Sequence, residues 1–159
     1  MKLVTRLVEL LRVLAMIALV IMMTVTIVDV TMRLVLNELV LGSVEIVQLA
    51  LVAAVFLAIP ETFLRDEHIT VDVIDQAVSA RTVERLRSAA ALVTTAFLLV
   101  LTWRMALPAA DTLEIGDLTS DLQLSLFWYW LPILAGGAAA AGTMLLVVLR
   151  RRSAEPREQ

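Results

Sequence analysis

The sequence predicts an all-α integral membrane protein with four transmembrane helices. Two observations lead to this fold class. Hydrophobic residues make up 60% of the 159-residue chain and the mean hydropathy is +0.91, whereas soluble domains are roughly 45–50% apolar. Four apolar stretches also approach or exceed the ~20 residues that a membrane-spanning helix needs. They lack the alternating pattern of barrel strands, which leaves helices as the spanning structure.

Each predicted span coincides with a run of residues that contains few charges. The first contains Asp29 and Arg33 near its end, and no clear cleavage site marks it as a removable signal peptide. The predicted spans are 13–36, 44–64, 88–108 and 122–149. Together they form a single membrane domain over residues 1–159, since the length suits one domain.

The fourth span carries most of the local sequence signals. Ser120 and Gln123 have capping-box spacing and predict its start. Pro132 falls in its first turns, where proline can kink a helix. Small residues then offer surfaces for close helix packing, within the chain or against a partner; they are Gly136, Gly137, Ala140 and Ala141.

Basic residues predict the orientation. Eleven of the thirteen Lys and Arg residues lie at the two termini or between spans two and three. Because cytoplasmic loops are enriched in basic residues, we expect both termini in the cytoplasm and the acidic loop 109–121 on the outer side. Residues 70–87 predict an amphipathic helix lying flat on the membrane; the alternative is that the third span simply begins early.

Several functional classes are excluded by composition. The chain has no cysteine and one histidine, which excludes disulfides, thiolate metal sites and internal bis-histidine haem ligation, and so argues against a respiratory-complex subunit. A net charge of −3 argues against nucleic-acid binding. No dense polar cluster occurs at one depth, so we expect no enzymatic activity, no cofactor and no metal site.

Two pairs of polar residues lie near the outer side. Asp29 and Arg33 are four residues apart and share a helix face. They are either a charged contact facing a partner helix or a helix end from which Arg33 reaches water. Glu45 is either the third residue of a helix capped by Gly42, or a buried carboxylate that binds an ion or pairs with Arg33. Gln48 follows one turn later.

The remaining candidates are a histidine and an aromatic cluster. His68 follows span two, where a solvated loop histidine is the simplest interpretation. The aromatic residues near the outer ends of spans three and four are typical of an interfacial belt; they are Trp103, Trp128, Tyr129 and Trp130.

These features, in this order, resemble the small membrane subunit of tripartite ATP-independent periplasmic (TRAP) transporters. The matching stretches are 29–33, 42–46, 49–60 and the His-Ile-Thr-Val-Asp-Val run at 68–73, followed by the acidic loop, the aromatic cluster and Pro132. The resemblance covers nearly the whole chain. One departure is Ser125, which stands where the family usually has proline.

The resemblance implies a scaffold subunit in the bacterial inner membrane, in contact with lipid. Such a subunit binds a larger membrane subunit that carries the substrate and sodium sites, and a periplasmic solute-binding protein delivers small organic acids. The residues then expected at partner interfaces or in helix packing are Asp29, Arg33, Glu45, Gln48, His68, Asp72, Trp128 and Pro132. The alternative is a self-sufficient carrier that acts as a homo-oligomer, with Glu45 or Asp29 as its coupling acid.

Overall fold

The computed structural model describes residues 2–64 and 80–154. These residues form four helices: α1 (Lys2–Leu36), α2 (Ser43–Leu64), α3 (Ala80–Ile115) and α4 (Phe127–Ala154). Each helix contains a stretch long and apolar enough to cross a membrane. The predicted fold class and the number of spans are therefore confirmed.

The helices run up and down, so both described loops lie at one end of the molecule. Contacts join the start of α1 to the end of α2, and the end of α1 to the start of α2. The same antiparallel relation holds between α3 and α4. We call the end that carries loops 37–42 and 116–126 the loop end, and the opposite end the terminal end.

The four helices form an open layer. In space their order is α1, α2, α4, α3, with a minor contact between α1 and α4. Over the described residues, α3 packs on α4 alone. Large apolar side chains remain exposed along α1 and α3, as expected of helices that face lipid or another membrane protein.

Small residues allow α4 to approach both of its neighbours. A Cβ atom at Gly136 would collide with the backbone of Phe56 in α2. A Cβ atom at Gly137 would lie 2.6 Å from the side-chain hydroxyl of Thr102 in α3. One turn later, Ala140 and Ala141 are buried. The expected small surfaces on this helix therefore serve packing within the chain.

Three helices begin well away from their predicted starts, and α3 also ends later than predicted, at Ile115 rather than residue 108. α1 begins at Lys2 rather than residue 13, and its 35 residues extend about 50 Å, which exceeds the ~30 Å hydrocarbon layer. α3 begins at Ala80, so residues 80–87 continue into the third span, as the alternative to a flat helix expected. Residues 70–79 of that predicted helix lie outside the described residues.

The third difference concerns α4, which begins at Phe127 and not at residue 122. The capping box predicted from Ser120 and Gln123 does not form. Gln123 has a left-handed backbone (φ 55°), and the backbone N–H groups of Asp121 and Leu122 are bound by a carboxylate from α2. This stretch is therefore a loop.

The packing of α4 on α2 gives a first prediction. Gly136→Ala should reduce stability by about 1–3 kcal/mol, because the new methyl group must displace the backbone of α2. Gly142→Ala is the matched control, since a Cβ there meets nothing within 4 Å. Thermal unfolding in mild detergent, followed by circular dichroism, measures both. Equal melting temperatures for the two variants would contradict the close α2–α4 contact.

Candidate functional site

The first cluster at the loop end is built around Asp29, in the last turns of α1. Its Oδ2 accepts an ion-paired hydrogen bond from Arg33 at 2.7 Å. Its Oδ1 accepts hydrogen bonds from the Ser43 hydroxyl at 3.0 Å and from the backbone N–H of Val40 at 3.3 Å. Asp29 is only 9% exposed. One carboxylate thus ties α1 to the 37–42 loop and to the start of α2.

The chain turns tightly between these two helices. Asn37 ends α1 in a left-handed conformation (φ 53°), and Gly42 adopts another (φ 74°) just before α2. The carbonyl of Gly42 accepts a hydrogen bond from the N–H of Ile46 at 3.1 Å. Gly42 therefore occupies the N-cap position and Glu45 the third helical position, as expected.

The second cluster is built around Glu45, which is 8% exposed. Its Oε1 accepts a hydrogen bond from the N–H of Asp121 at 2.7 Å, and its Oε2 accepts one from Leu122 at 3.0 Å. The hydroxyl of Tyr129 donates to the Glu45 carbonyl at 2.9 Å. The carboxylate therefore binds the 116–126 loop. Of the alternatives for Glu45, pairing with Arg33 is not found among the described residues, where Arg33 binds Asp29 instead.

Gly42 has a further role in this contact. The side chain of Leu122 occupies the space where a Cβ of residue 42 would be. Glycine is therefore needed at this position for its backbone conformation and for the approach of Leu122. We call the Asp29 cluster (Asp29, Arg33, Val40, Ser43) the first latch and the Glu45 cluster (Glu45, Asp121, Leu122, Tyr129) the second latch.

The 116–126 loop is folded compactly on itself. Gly116 ends α3 with φ 74°. Hydrogen bonds then connect Thr119 N–H to the Leu124 carbonyl (2.8 Å) and Leu126 N–H to the Asp117 carbonyl (3.0 Å). This short hairpin presents the Asp121 and Leu122 amides to Glu45.

Ser125 caps the fourth helix. Its hydroxyl accepts a hydrogen bond from Phe127 N–H at 3.3 Å, and its carbonyl accepts one from Trp128 N–H at 3.1 Å. Serine is among the residues favoured at helix N-termini for this reason. The residue that departs from the resembled pattern thus has a structural use here.

The aromatic cluster divides into two groups. Trp103 and Trp128 are exposed. Trp128, at the start of α4, lies where an interfacial belt is expected, whereas Trp103 adjoins Thr102, which meets Gly137 well away from the loop end. Within the second latch, the Tyr129 hydroxyl donates to the Glu45 carbonyl. The Trp130 Nε1–H donates to the Thr112 hydroxyl at 3.1 Å and so joins α4 to α3. Sequence reasoning missed these two bonds because it had no signal for the partners across helices.

An ion pair closes the other end of the α1–α2 hairpin. Arg12 donates from Nη1 to Glu61 Oε1 at 3.3 Å. Arg12 and Asp29 are separated by about 26 Å along α1 at 1.5 Å per residue, close to the ~30 Å hydrocarbon thickness. The polar contacts of this hairpin therefore lie at its two ends, with apolar packing between them.

The other predicted residues lie apart from the latches. Gln48 is exposed, one turn beyond Glu45. Pro132 lies inside α4, in its second turn, where it has no N–H for the Trp128 carbonyl. His68 and Asp72 lie outside the described residues. Among the described residues, no group of three His, Cys, Asp or Glu side chains could hold a metal ion.

The latches use their carboxylates for structure. Each of the four carboxylate oxygens of Asp29 and Glu45 accepts at least one hydrogen bond from the chain itself. A buried carboxylate needs such donors because the surrounding medium cannot supply them. The arrangement therefore holds two loops on the start of α2.

The sequence was also compared with known proteins. Residues 22–154 match the protein-family model described as "Tripartite ATP-independent periplasmic transporters, DctQ component". The matched region includes both latches and the whole of α2, α3 and α4. A comparison with individually curated proteins gives no match.

The second latch gives a prediction for the loop. Glu45→Gln keeps the shape of the side chain but replaces one charged acceptor by an amide NH₂, which cannot accept a backbone hydrogen bond. Amide hydrogen exchange at Asp121 and Leu122 should accelerate roughly tenfold or more. Glu114→Gln is the control, because Glu114 is exposed near the same end. Unchanged exchange at both amides in Glu45→Gln would contradict the latch.

The first latch predicts unequal effects for its two charged members. Asp29→Ala leaves the Ser43 hydroxyl and the Val40 N–H without their acceptor, and should lower the melting temperature by roughly 5 °C. Arg33→Gln should have a smaller effect, because the Arg33 side chain is about half exposed. If Arg33→Gln were the more harmful change, the ion pair rather than the hydrogen bonds to the loop would hold this end together.

Proposed function

The chain belongs to the DctQ family of tripartite ATP-independent periplasmic transporter components, and on this premise we propose that it is the small scaffold subunit of a sodium-coupled transporter for small organic acids. It assembles with a larger membrane subunit that carries the substrate and sodium sites. A periplasmic solute-binding protein delivers the solute to this pair. The chain itself catalyses no reaction and needs no cofactor.

One observation carries the scaffold role. The membrane-embedded acids that an independent carrier would need are Asp29 and Glu45, and all four of their carboxylate oxygens are engaged by donors of the same chain. An ion-coupling acid must exchange its ligand during each cycle. These two acids instead fix loops to a helix, which supports a static part of a larger transporter.

The charge distribution supports an orientation. Eleven of the thirteen basic residues lie at positions 2–12, 65–87 or 150–157 of the sequence. By the positive-inside rule the terminal end is cytoplasmic and the loop end periplasmic, in the inner membrane. Exposed acidic residues surround the loop end, and this surface lies near the solute-binding protein; they are Glu38, Asp111, Glu114, Asp117 and Asp121.

The singled-out residues take two kinds of role under this proposal. Asp29, Arg33 and Glu45 hold the loop end together. Gln48 and Trp128 are exposed, so they are available to the large subunit or to the lipid interface. Pro132 shapes the first turns of α4. His68 and Asp72 organise the cytoplasmic side of the scaffold.

Reconstitution tests the proposal. Proteoliposomes with an inward sodium gradient are prepared with this chain alone, with the large subunit alone, and with both, each with and without the solute-binding protein. Uptake of labelled organic acid should require all three proteins. Uptake by this chain alone would instead identify a self-sufficient carrier and reject the scaffold role.

The latches predict a separation between assembly and coupling. Asp29→Asn and Glu45→Gln should lower the amount of assembled complex, because both disturb the loop end. Complexes that do assemble should keep the wild-type dependence of uptake on sodium concentration. Measuring initial uptake against sodium, normalised to assembled complex, distinguishes the two effects. A fully assembled variant that lost its sodium dependence would show that the acid couples ion movement.

A further inference from the structure

Arg104 lies at mid-depth in the helix layer, on an exposed position of α3. The contacts of consecutive residues in α4 establish its depth: Gly137 meets Thr102 of α3, and Gly136 meets Phe56 of α2. Phe56 is near the middle of α2 (Ser43–Leu64). Arg104 is two residues from Thr102 and is therefore displaced by only about 3 Å along the helix axis.

The polar contacts at the loop end, which we call the polar layer, give an independent check of this depth. Thr112, which binds Trp130, marks that layer on α3. Arg104 precedes Thr112 by two turns, or about 12 Å. Long side chains on a helix lean toward its N-terminus, which for α3 is the terminal end. Arg104 therefore leans away from the polar contacts at the loop end.

Among the residues whose side chains the structure describes, Arg104 forms no ion pair. The ion pairs found among them use Arg12 and Arg33. Glu9 and Glu61 are at the terminal end, and Asp29 and Glu45 at the loop end. Asp111 is the next acidic residue along α3, about 10 Å farther along the axis. A charged side chain at this depth faces protein or a water-filled cavity rather than lipid, because hydrocarbon offers it no acceptor.

Resting on the proposed function, we propose that the exposed face of α3 formed by Phe97, Val100, Arg104 and Leu107 binds a transmembrane helix of the large subunit, which presents a carboxylate or a free backbone carbonyl to Arg104. The apolar members of this face are all exposed, and α3 has α4 as its one neighbouring helix among the described elements. Because Arg104 is positively charged and can only donate hydrogen bonds, the partner helix must supply an acceptor.

A second copy of this chain does not fit the same face. In a two-fold symmetric contact through α3, the two Arg104 residues would approach each other. The carboxylates of Asp29 and Glu45 are engaged at the loop end, so the copy would bring no available acid from these residues to mid-depth. Charge complementarity therefore favours a different membrane protein.

Photo-crosslinking in the intact complex tests the location. A photoreactive amino acid replaces Val100 or Leu107, and Val20 of α1 is the matched position because it is exposed to the same extent (63% against 62% for Val100). Irradiation of membranes should link positions 100 and 107 to the large subunit, with Val20 setting the background. Crosslinks to a second copy of this chain, or no protein crosslink above that background, would overturn the proposal.

Substitution of Arg104 tests the chemistry. Arg104→Leu should reduce recovery of the large subunit on the tagged chain roughly tenfold or more, whereas Arg104→Lys should keep most of it, because it retains the cation. Arg6→Leu, at an exposed position near the terminal end, controls for loss of a basic residue. Circular dichroism of each purified chain confirms that it is folded. Unchanged recovery with Arg104→Leu would contradict the proposal.

The wild-type experiment separates this inference from the proposed function. If the large subunit is not recovered with the wild-type chain, the scaffold role itself fails. If it is recovered but neither crosslinked through α3 nor lost in Arg104→Leu, the scaffold role stands and the α3 interface is rejected.

Discussion

Hydrogen bonds to two buried carboxylates hold the start of α2, and the loop end depends on them. Asp29 reaches from α1 to Ser43 and Val40, and Glu45 reaches from α2 to the 116–126 loop. Unpaired backbone and carboxylate groups are costly at the edge of hydrocarbon. Here the backbone N–H groups donate hydrogen bonds to the carboxylates, so neither kind of group is left unpaired. The same bonds bring both halves of the chain together at α2, so the order of the layer and the shape of both loops follow from them.

Between the loop end and the terminal end, the helices are held together by close packing rather than by polar contacts. Gly136 and Gly137 allow α4 to touch α2 on one side and α3 on the other, and the alanines that follow continue this packing. Because lipid is as apolar as the side chains, helix association in a membrane relies on fit and not on the exclusion of water. The molecule therefore has a polar layer at its loop end and a tightly fitted interior.

Much of this could be predicted from the sequence, and the exceptions have physical causes. Hydropathy predicts the four spans, and the four-residue spacing places Asp29 and Arg33 on one helix face, where the structure shows an ion pair between them. The start of α4 was mispredicted because local capping signals at Ser120 and Gln123 lose to a distant carboxylate that binds the loop amides. The partners of Tyr129 and Trp130, and the depth of Arg104, depend on how neighbouring helices are aligned. Local patterns carry no such information.

The attachment of α3 to α4 alone, within the described part of the chain, has a consequence for biogenesis. A nascent chain that has inserted α1 and α2 can already form the first latch. α3 then has no docking surface until α4 has been synthesised, and Glu45 has no donors until the 116–126 loop exists. The contacts are therefore those of two hairpins, and the second, with its bonds to Glu45, can close only after α4 has been synthesised.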